Sequence, residues 1–344
     1  MRVLVTGNEG YLGYLAVRLL LEAGFDVTGV DTGFYRAGFL YGDQGRQPAT
    51  LVKDIRHLTR QDLEGHDAIV HMAELSNDPA GELIPEITFD INHRGTLHLA
   101  ELAKEARVKR FVYTSSCSVY GIADGETPVD ETSPVNPQTS YAICKTWCER
   151  DLKAMGSDDF TPVFLRNATA FGASPRQRFD LVLNNLSGFA FTTGEIKMIS
   201  DGTPWRPLVH ALDIAKAVRC ALEAPIEAVH GEIFNVGSNT QNYRVRDIAE
   251  IVAQVFPDCR LSFGTQGADN RSYKVSFDKI HTQLPGFTCD WDAESGARQL
   301  LKVFQSIELS KEDFEQRSYT RLKQLQYLLR TRQIDQRFFW QSPD

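Results

Sequence analysis

Short apolar runs alternate with helix-spaced apolar residues through the first half of the chain. The runs lack polar alternation, which is typical of strands buried on both faces. They predict strands at residues 3–5, 27–30, 50–53, 68–71, 111–114 and 162–166. Helical spacing predicts helices at residues 12–23, about 85–106 and 140–155, the first of which ends at Gly24. This alternation predicts the α/β class, with a Rossmann-type, doubly wound parallel sheet.

The pattern becomes less regular after Gly172. It predicts helices at residues 180–189, 212–222, 245–255 and 293–304, and a strand at residues 196–199. The helix at 212–222 is expected to return to the main sheet. We therefore predict a smaller, mixed α/β domain in the C-terminal half, followed by a charged, helical extension at residues 310–344.

Size, charge and cysteine content limit the classes of function. The 344 residues suffice for one large domain or two unequal ones. A net charge of −8 excludes a chain-wide positive field for nucleic acid. No apolar run reaches the ~20 residues that cross a bilayer, and a strand at residues 2–6 leaves no room for a signal peptide. The six scattered cysteines form no metal pattern with histidine, so we expect reduced thiols, no metal and a cytoplasmic protein.

Three glycines, Gly7, Gly10 and Gly13, directly follow the first predicted strand and open the first predicted helix. In this context, backbone N–H groups and the helix dipole meet the phosphates of a dinucleotide. A plain structural turn is the alternative. Asp31 ends the second predicted strand, 31 − 13 = 18 residues past the last glycine. Its carboxylate suits the adenosine ribose hydroxyls and repels a 2′-phosphate, which favours NAD over NADP, although Arg36 lies nearby in sequence.

Tyr141 and Lys145 are four residues apart on one predicted helix, so they share a face. The lysine ammonium and a nicotinamide cation both favour the phenolate, which predicts a tyrosine pKa lowered from about 10 towards neutrality. Ser116 lies at the end of the fifth predicted strand, on the edge where such sheets bind ligands. Together these residues suit the movement of a hydride and a proton to or from a carbinol carbon.

Several motifs together resemble the extended short-chain dehydrogenases/reductases, and most closely their NAD-dependent nucleotide-sugar epimerases and dehydratases. The resemblance covers about residues 1–280 and excludes the C-terminal extension. The motifs are the Thr6-Gly-x-x-Gly-x-x-Gly13 start, Asp31, Asp54-Ile55 for the adenine, Thr114-Ser-Ser-Cys-Ser-Val-Tyr-Gly121, Tyr141-x-x-x-Lys145 and Leu165-Arg-Asn-Ala-Thr-Ala-Phe-Gly172.

The resemblance implies a role for each matching residue. Ser116 is the catalytic Ser/Thr, Tyr141 the base and Lys145 the lysine that orients the cofactor. The implied NAD-binding residues are Gly7, Gly10, Tyr11, Leu12, Gly13, Asp31, Asp54, Ile55, Met72, Ala73, Asn92, Ser115, Tyr141 and Lys145. The implied substrate-binding residues are Ser76, Cys117, Ser118, Asn167, Arg178, Asn185, Arg206 and Arg271. Arg206 and Arg271 suit a diphosphate, which needs positive partners with several donors.

Two departures from the family pattern bear on the reaction. Cys117 and Ser118 stand where the 4,6-dehydratases have an Asp-Glu pair that carries out the elimination of water, so dehydration is disfavoured. Glu74, in a loop with residues 76–79, replaces the family's usual alanine. It either contacts substrate or cofactor, or is a solvated loop charge. His71 ends a buried strand and is expected to be a hydrogen-bonded core histidine.

The leading hypothesis is an NAD-dependent nucleotide-sugar 4-epimerase that acts through a transient 4-keto sugar. A net NAD(P)-dependent oxidoreductase of a nucleotide-linked keto sugar is the alternative, followed by a 4,6-dehydratase and a non-catalytic dinucleotide-binding protein. By resemblance, residues 1–171 and about 207–235 form the dinucleotide-binding domain, and residues 172–206 and 236–309 bind the nucleotide sugar. The helices at about 85–106 and 140–155 are expected to form a homodimer interface, and no nucleic acid or membrane partner is expected.

Overall fold

The computed structural model describes residues 1–42, 45–76, 78–122, 127–265 and 271–341. Its strands are β1 (Arg2–Thr6), β2 (Asp26–Asp31), β3 (Ala49–Val52), β4 (Ala68–His71), β5 (Arg110–Ser116), β6 (Thr161–Asn167), β7 (Thr169–Phe171), β8 (Glu195–Lys197), β9 (Trp205–His210), β10 (Ile233–Val236), β11 (Asn242–Arg244) and β12 (Arg260–Ser262).

Its helices are α1 (Tyr11–Glu22), α2 (Arg60–Leu63), α3 (Asp78–Gly81), α4 (Pro85–Thr88), α5 (Gly95–Glu105), α6 (Ser140–Met155), α7 (Val182–Thr193), α8 (Ala211–Glu223), α9 (Ile226–Val229), α10 (Val245–Val255), α11 (Asp278–Gln283), α12 (Ala293–Ser306), α13 (Lys311–Glu315) and α14 (Arg321–Arg330). A π-helical segment, Phe89–Arg94, joins α4 to α5, so residues 85–105 run as one helix, as predicted. Short 3-10 helices lie at Ile55–His57, Cys117–Tyr120, Asn239–Gln241 and Arg317–Tyr319.

The central sheet has seven strands in the order β3-β2-β1-β4-β5-β6-β10, and every neighbouring pair is parallel. This confirms the predicted fold class. The chain leaves β1 towards one edge and returns with β4 towards the other, so the strand order reverses between β1 and β4. In such sheets the crevice outside the carboxyl ends at this switch point is the usual ligand site.

Helices cover both faces of the sheet. Successive residues of β1 point to opposite faces, so Val3 and Val5 pack in a core with α1 and α8, whereas Leu4 packs in the core formed with α5 and α6. All three side chains are fully buried. The apolar runs of β1, β4, β5 and β6 therefore have no polar alternation because neither face of these strands meets water, whereas β3, at the edge of the sheet, is largely exposed.

The smaller part of the fold has its own core, built on α7, α10 and α12 with the three-stranded sheet β11-β9-β7 and the pair β12-β8. Periodicity did not predict β7 or β9–β12; three of these strands, β7, β11 and β12, have only three residues each. The helix predicted at 180–189 instead spans Val182–Thr193, because Gly194 supplies the left-handed conformation that ends it.

The C-terminal extension packs on its own chain. Leu325 and Leu328 of α14 are buried in the core that also contains Leu4 and Val30. Gln324 Nε2 donates to the carbonyl of Phe34, 2.9 Å away. Across the described ranges, no helix combines the length and apolar character that spanning a bilayer requires.

Candidate active site

A cavity of about 610 Å³ opens at the carboxyl edge of the sheet, between the end of β1 and the end of β4. It extends from the glycine turn past α6 to residues of the smaller part of the fold. The predicted site residues in its wall are Gly7, Gly10, Tyr11, Leu12, Gly13, Asp31, Asp54, Ile55, Met72, Ala73, Ser76, Ser115, Ser116, Ser118, Tyr141, Lys145, Asn167, Arg178, Arg206 and Arg271.

Three predicted site residues do not line this cavity. Both amide atoms of Asn92 are used by the backbone of Leu75, at 2.9 and 3.1 Å, so this side chain fixes the loop after β4. The Cys117 thiol lies in the core and donates to the Arg166 carbonyl, 3.1 Å away. Asn185 Nδ2 donates to the Phe179 carbonyl at 2.8 Å. Asn77, which belongs to the predicted loop at residues 76–79, lies outside the described residues, as does Asn270, which precedes Arg271.

The glycine turn is shaped so that side chains are excluded. Gly7 has φ +74°, and a Cβ there would lie 2.8 Å from the backbone nitrogen of Ala73. A Cβ on Gly13 would lie 2.0 Å from the Gly7 carbonyl oxygen, so α1 packs directly on the turn. This leaves a backbone cradle at the N-terminus of a helix, the feature that binds a diphosphate.

Asp31 ends β2 beside this cradle. Its carboxylate accepts hydrogen bonds from the backbone N–H groups of Gly33, at 2.8 Å, and Glu9, at 3.1 Å. Burial raises its pKa, against the effect of these donors. Arg36, the residue that weakened the preference for NAD, is held by Glu9 at 2.5 and 3.0 Å. The cradle and the acid therefore fit NAD.

Asp54 begins the short helix after β3, where the adenine was predicted. Both its oxygens accept hydrogen bonds from the Arg56 side chain, at 2.8 and 2.9 Å. Arg56 in turn lies 4.0 Å from the ring centre of Phe339, so the C-terminal extension reaches this end of the cavity. Ile55 is buried and provides the apolar wall.

Tyr141, Ser116 and Lys145 meet where β5 ends against the first turns of α6. The Ser116 hydroxyl lies beside the Tyr141 phenol and acts to lower its pKa. The Lys145 ammonium lies 5.4 Å from the centre of the Tyr141 ring and donates to the carbonyl of Thr114. The i, i+4 spacing thus brings the phenol and the ammonium to the same wall of the cavity.

Glu74 is part of the same cluster. Its side chain is 3% exposed, its Oε2 lies 2.6 Å from the Lys145 ammonium, and its Oε1 accepts a hydrogen bond from the Tyr113 hydroxyl at 2.7 Å. The interpretation of Glu74 as a solvated loop charge was therefore wrong. The burial of Glu74 raises its pKa, and Lys145 opposes that shift.

The predicted lowering of the Tyr141 pKa depends on a nicotinamide cation as well as on Lys145, and in the protein alone this pKa is raised. Burial raises this pKa, and it outweighs the effect of Lys145; Glu74 and Asp78 add to the rise. Burial also opposes the charge on Lys145, but Glu74 and Tyr141 raise the pKa of its ammonium. Glu74 thus offsets much of the positive field that Lys145 would apply to the phenol.

Arginines line the substrate end of the cavity. Arg178 is paired with Asp180 at 2.8 Å, and its Nη1 lies 3.4 Å from the Ser76 hydroxyl. Arg271 is paired with Asp78, and the Arg206 guanidinium donates to the Arg271 carbonyl. The three guanidiniums give this end donors suited to a diphosphate.

His71 is a hydrogen-bonded core histidine, as predicted. Its two ring nitrogens lie 2.7 Å from the hydroxyls of Thr6 and Thr96, and burial lowers its pKa to about 3. Within the described part of the chain, no group of three or more His, Cys, Asp or Glu side chains could hold a metal ion.

Sequence reasoning missed Glu149, which contacts the cavity-lining Ser115 from behind, and Arg321, which lies in the cavity wall. Glu149 accepts a hydrogen bond from Ser115 at 2.5 Å and forms a buried ion pair with Arg166 at 2.6 Å. It lies four residues beyond Lys145, so helical spacing could have identified it. Arg321 lines the cavity from the C-terminal extension. No sequence signal pointed to it, because the extension lies outside the family resemblance.

This fold, with a tyrosine, a lysine and a serine beside a dinucleotide cradle, defines a dinucleotide-dependent enzyme class. The chain belongs to the NAD-dependent epimerase/dehydratase family, whose model matches residues 3–237. A UDP-glucose 4-epimerase of Lactobacillus helveticus is 30% identical over 310 residues, which cover 83% of this chain and 91% of the relative. A UDP-glucose 4-epimerase of Corynebacterium glutamicum is 30% identical over 275 residues, covering 74% and 80%.

Solved structures of several activities share the fold. An NAD-dependent NDP-hexosamine 5,6-dehydratase of tunicamycin biosynthesis matches with a TM-score of 0.78 at 24% identity, covering 89% of this chain and 98% of the other. A UDP-glucose 4-epimerase of Thermotoga maritima, with UDP-glucose, matches with a TM-score of 0.76 at 21% identity, covering 90% and 100%. Epimerases and dehydratases both occur among these neighbours, so the reaction has to be argued from this chain's own residues.

Proposed function

We propose that the chain is an NAD-dependent nucleotide-sugar 4-epimerase. The main support is the cluster of Tyr141, Ser116 and Lys145 in one cavity with the glycine turn, without the Asp-Glu pair beside Ser116 that the resembled 4,6-dehydratases use. NAD supplies a hydride acceptor that becomes a donor within the same cycle. The curated relatives named UDP-glucose 4-epimerase make UDP-glucose the first substrate to test.

The proton is handled by this chain's own side chains. The Tyr141 phenolate oxygen accepts the proton of the sugar 4-hydroxyl. It returns this proton after the 4-keto sugar has rotated to present its other face. Ser116, whose hydroxyl lies beside the phenol and acts to lower its pKa, shares that proton. The positive Lys145 stabilises the phenolate, and NAD⁺ strengthens this stabilisation when it is bound.

The arginines of the smaller part of the fold hold the substrate. Arg206, Arg271 and Arg178 bind the diphosphate of the nucleotide sugar, with Ser76, Ser118 and Asn167 around the sugar. Asn167 is buried in the cavity wall, and its Oδ1 has no hydrogen-bond partner among the described residues, so it is available as an acceptor. A diphosphate held by several guanidiniums leaves the uncharged sugar free to present either face.

Cys117 supports epimerisation over a 4,6-dehydration. An elimination needs a second acid/base at this position, but the thiol is buried and donates to the Arg166 carbonyl. Burial also raises its pKa far above the usual range. A net oxidoreductase would use the same tyrosine, serine and lysine. The two reactions differ in the amount of cofactor consumed per substrate molecule, since an epimerase regenerates its NAD and an oxidoreductase does not.

The test uses purified protein and UDP-glucose without added cofactor. The expected result is the 4-epimer, detected by chromatography, with turnovers far exceeding the amount of protein-bound NAD. Tyr141→Phe is expected to lower kcat by about 100-fold or more. Tyr243→Phe, which removes a phenol outside the cavity, serves as the matched control. Stoichiometric loss of absorbance at 340 nm with NADH and a keto sugar would instead identify the oxidoreductase.

We also propose the division of labour between the parts of the chain. Residues 1–171 and about 207–235 hold the dinucleotide, residues 172–206 and 236–309 hold the nucleotide sugar, and residues 310–344 form an added extension. The helix of residues 85–105 and α6 form a homodimer interface, supported by Trp147, which is 39% exposed and packs against Phe89. Light scattering at micromolar concentration is expected to give the mass of a dimer.

A further inference from the structure

Arg321 is a buried arginine that the C-terminal extension places in the wall of the main cavity. It is the first residue of α14, and it is 4% exposed. It lies far beyond residues 3–237, which the family model matches. The cavity therefore includes a cationic side chain that the matched part of the chain does not supply.

Among the residues that the structure describes, the guanidinium of Arg321 has no carboxylate partner. The backbone N–H of Arg321, and not its side chain, donates a hydrogen bond to Asp180 Oδ2 at 3.3 Å. The guanidinium itself lies 3.9 Å from the centre of the Tyr35 ring. Asp180 is already paired with Arg178 at 2.8 Å. A buried charge without an ion pair is costly, so an anion that enters the cavity gains a strong partner here.

The charge of Arg321 persists at neutral pH. Burial lowers its pKa to about 10, and the neighbouring positive charge of Arg178 contributes in the same direction. Tyr35, Asp180 and Asp31 oppose the shift. The guanidiniums of Arg178 and Arg321 thus share this region of the wall. Among the described residues, Arg178 forms a direct ion pair and Arg321 does not.

The surroundings of Arg321 indicate which anion it meets. Tyr35 belongs to the segment that follows Asp31, at the cofactor end of the cavity, so Arg321 lies between that end and the Arg178–Asp180 pair of the substrate end. Adenine and its ribose carry no charge, whereas the diphosphate that the nearby glycine turn is built to hold carries two. We propose that Arg321 binds the diphosphate of the dinucleotide cofactor together with the glycine turn. This inference rests on NAD binding and is independent of which reaction follows.

The extension holds Arg321 ready for this contact. Gln324, one turn further along α14, donates to the Phe34 carbonyl at 2.9 Å, and Trp340 Nε1 donates to the Thr32 carbonyl at 2.7 Å. The Trp340 ring also packs on Phe34, with ring centres 5.5 Å apart. Because α14 is tied to the segment after Asp31, the arginine loses little freedom when it binds. The extension therefore also retains the cofactor.

The experiment is a set of binding titrations on nucleotide-free full-length protein, by calorimetry, with NAD, ADP, adenosine and UDP. Arg321→Met keeps an apolar stem over Tyr35 and removes the charge. It is expected to raise the Kd for NAD and for ADP by about 10-fold or more, and to leave the Kd for adenosine within about twofold. Lys323→Ala removes an exposed charge on the same helix and is expected to change none of these values.

Other patterns of loss would overturn the proposal. Equal weakening of adenosine and ADP would mean that Arg321 acts on the nucleoside or only supports the fold. Weaker UDP binding with unchanged ADP binding would assign the arginine to the diphosphate of the nucleotide sugar. The thermal midpoint of Arg321→Met without nucleotide is expected to equal or exceed that of the wild type, since the variant lacks a buried unpaired charge. If that variant does not fold, Arg321→Gln, which also lacks the charge, is compared with the same four ligands, and an unchanged ratio of ADP to adenosine affinity counts against the proposal.

Discussion

The Glu74 carboxylate lies 2.6 Å from the Lys145 ammonium, and the two side chains are only 3% and 4% exposed. Such a pair is coupled strongly, because little water screens it. The Tyr141 ring centre is 5.4 Å from the same ammonium. Glu74 therefore reduces the positive field that Lys145 applies to the tyrosine, and it sets the pH at which the phenol can act as a base.

Glu74→Gln is expected to move the pH profile of turnover towards lower pH. The amide keeps the shape of the side chain and an acceptor for the Tyr113 hydroxyl, but it removes a negative charge that raises the Tyr141 pKa. The limb of kcat that rises as Tyr141 loses its proton should shift down by about one pH unit. Measurements of kcat from pH 6 to 10 test this, with the exposed Glu86→Gln as control. Identical profiles for wild type and Glu74→Gln would show that Lys145 is not neutralised in the working enzyme.

The sequence predicted six of the seven strands of the main sheet, because the central strands β1, β4, β5 and β6 are buried on both faces and so lack polar positions. It also predicted the meeting of Tyr141 with Lys145, since residues four apart on a helix share a face. Both inferences depend on local spacing alone. The place of the ligand site, at the carboxyl ends of the strands, followed from the general rule for parallel sheets.

The features that the sequence did not predict arise from contacts between distant segments. Glu74 is 71 residues from Lys145 (145 − 74), so only folding shows that they pair. In the protein alone, burial raises the Tyr141 pKa and outweighs the effect of Lys145. Spacing along the sequence does not show this burial, so the rise was not predicted. Arg321 reaches the cavity through an extension that no motif describes.

Gly13→Ala is expected to damage both stability and cofactor binding. The added Cβ would lie 2.0 Å from the Gly7 carbonyl oxygen and 2.9 Å from the Asn8 Cα, and backbone atoms cannot rotate away. The turn must then separate from α1, at a cost of about 1–3 kcal/mol in the free energy of unfolding. Urea denaturation and NAD titration measure the two effects. Gly42→Ala, where no atom lies within 4 Å of the new Cβ, should change stability by less than about 0.5 kcal/mol. Equal behaviour of the two variants would refute this account of the turn.

His71 is expected to make the protein less stable in mild acid. Its pKa is lowered from 6.5 to about 3 by burial, so below pH 6.5 the unfolded chain binds a proton that the folded chain does not. The free energy of unfolding therefore falls as pH drops from 6.5 towards 3, by up to about 1.4 kcal/mol per pH unit for this group. His210, whose pKa burial lowers to about 4, acts in the same direction.

His71→Gln isolates the part that His71 contributes. The amide can still reach a threonine hydroxyl but cannot replace both contacts of the imidazole, so the variant should be less stable than the wild type at pH 7. Because the amide takes up no proton, the free energy of unfolding of the variant should fall less on acidification. Between pH 6.5 and 5 the loss should be smaller by about 2 kcal/mol, measured by urea denaturation at both pH values. Other titrating groups cancel in this comparison because both proteins contain them. A pH-dependent loss of the same size in both proteins would mean that His71 takes up its proton in the folded state, despite the two threonine hydroxyls 2.7 Å from its ring nitrogens.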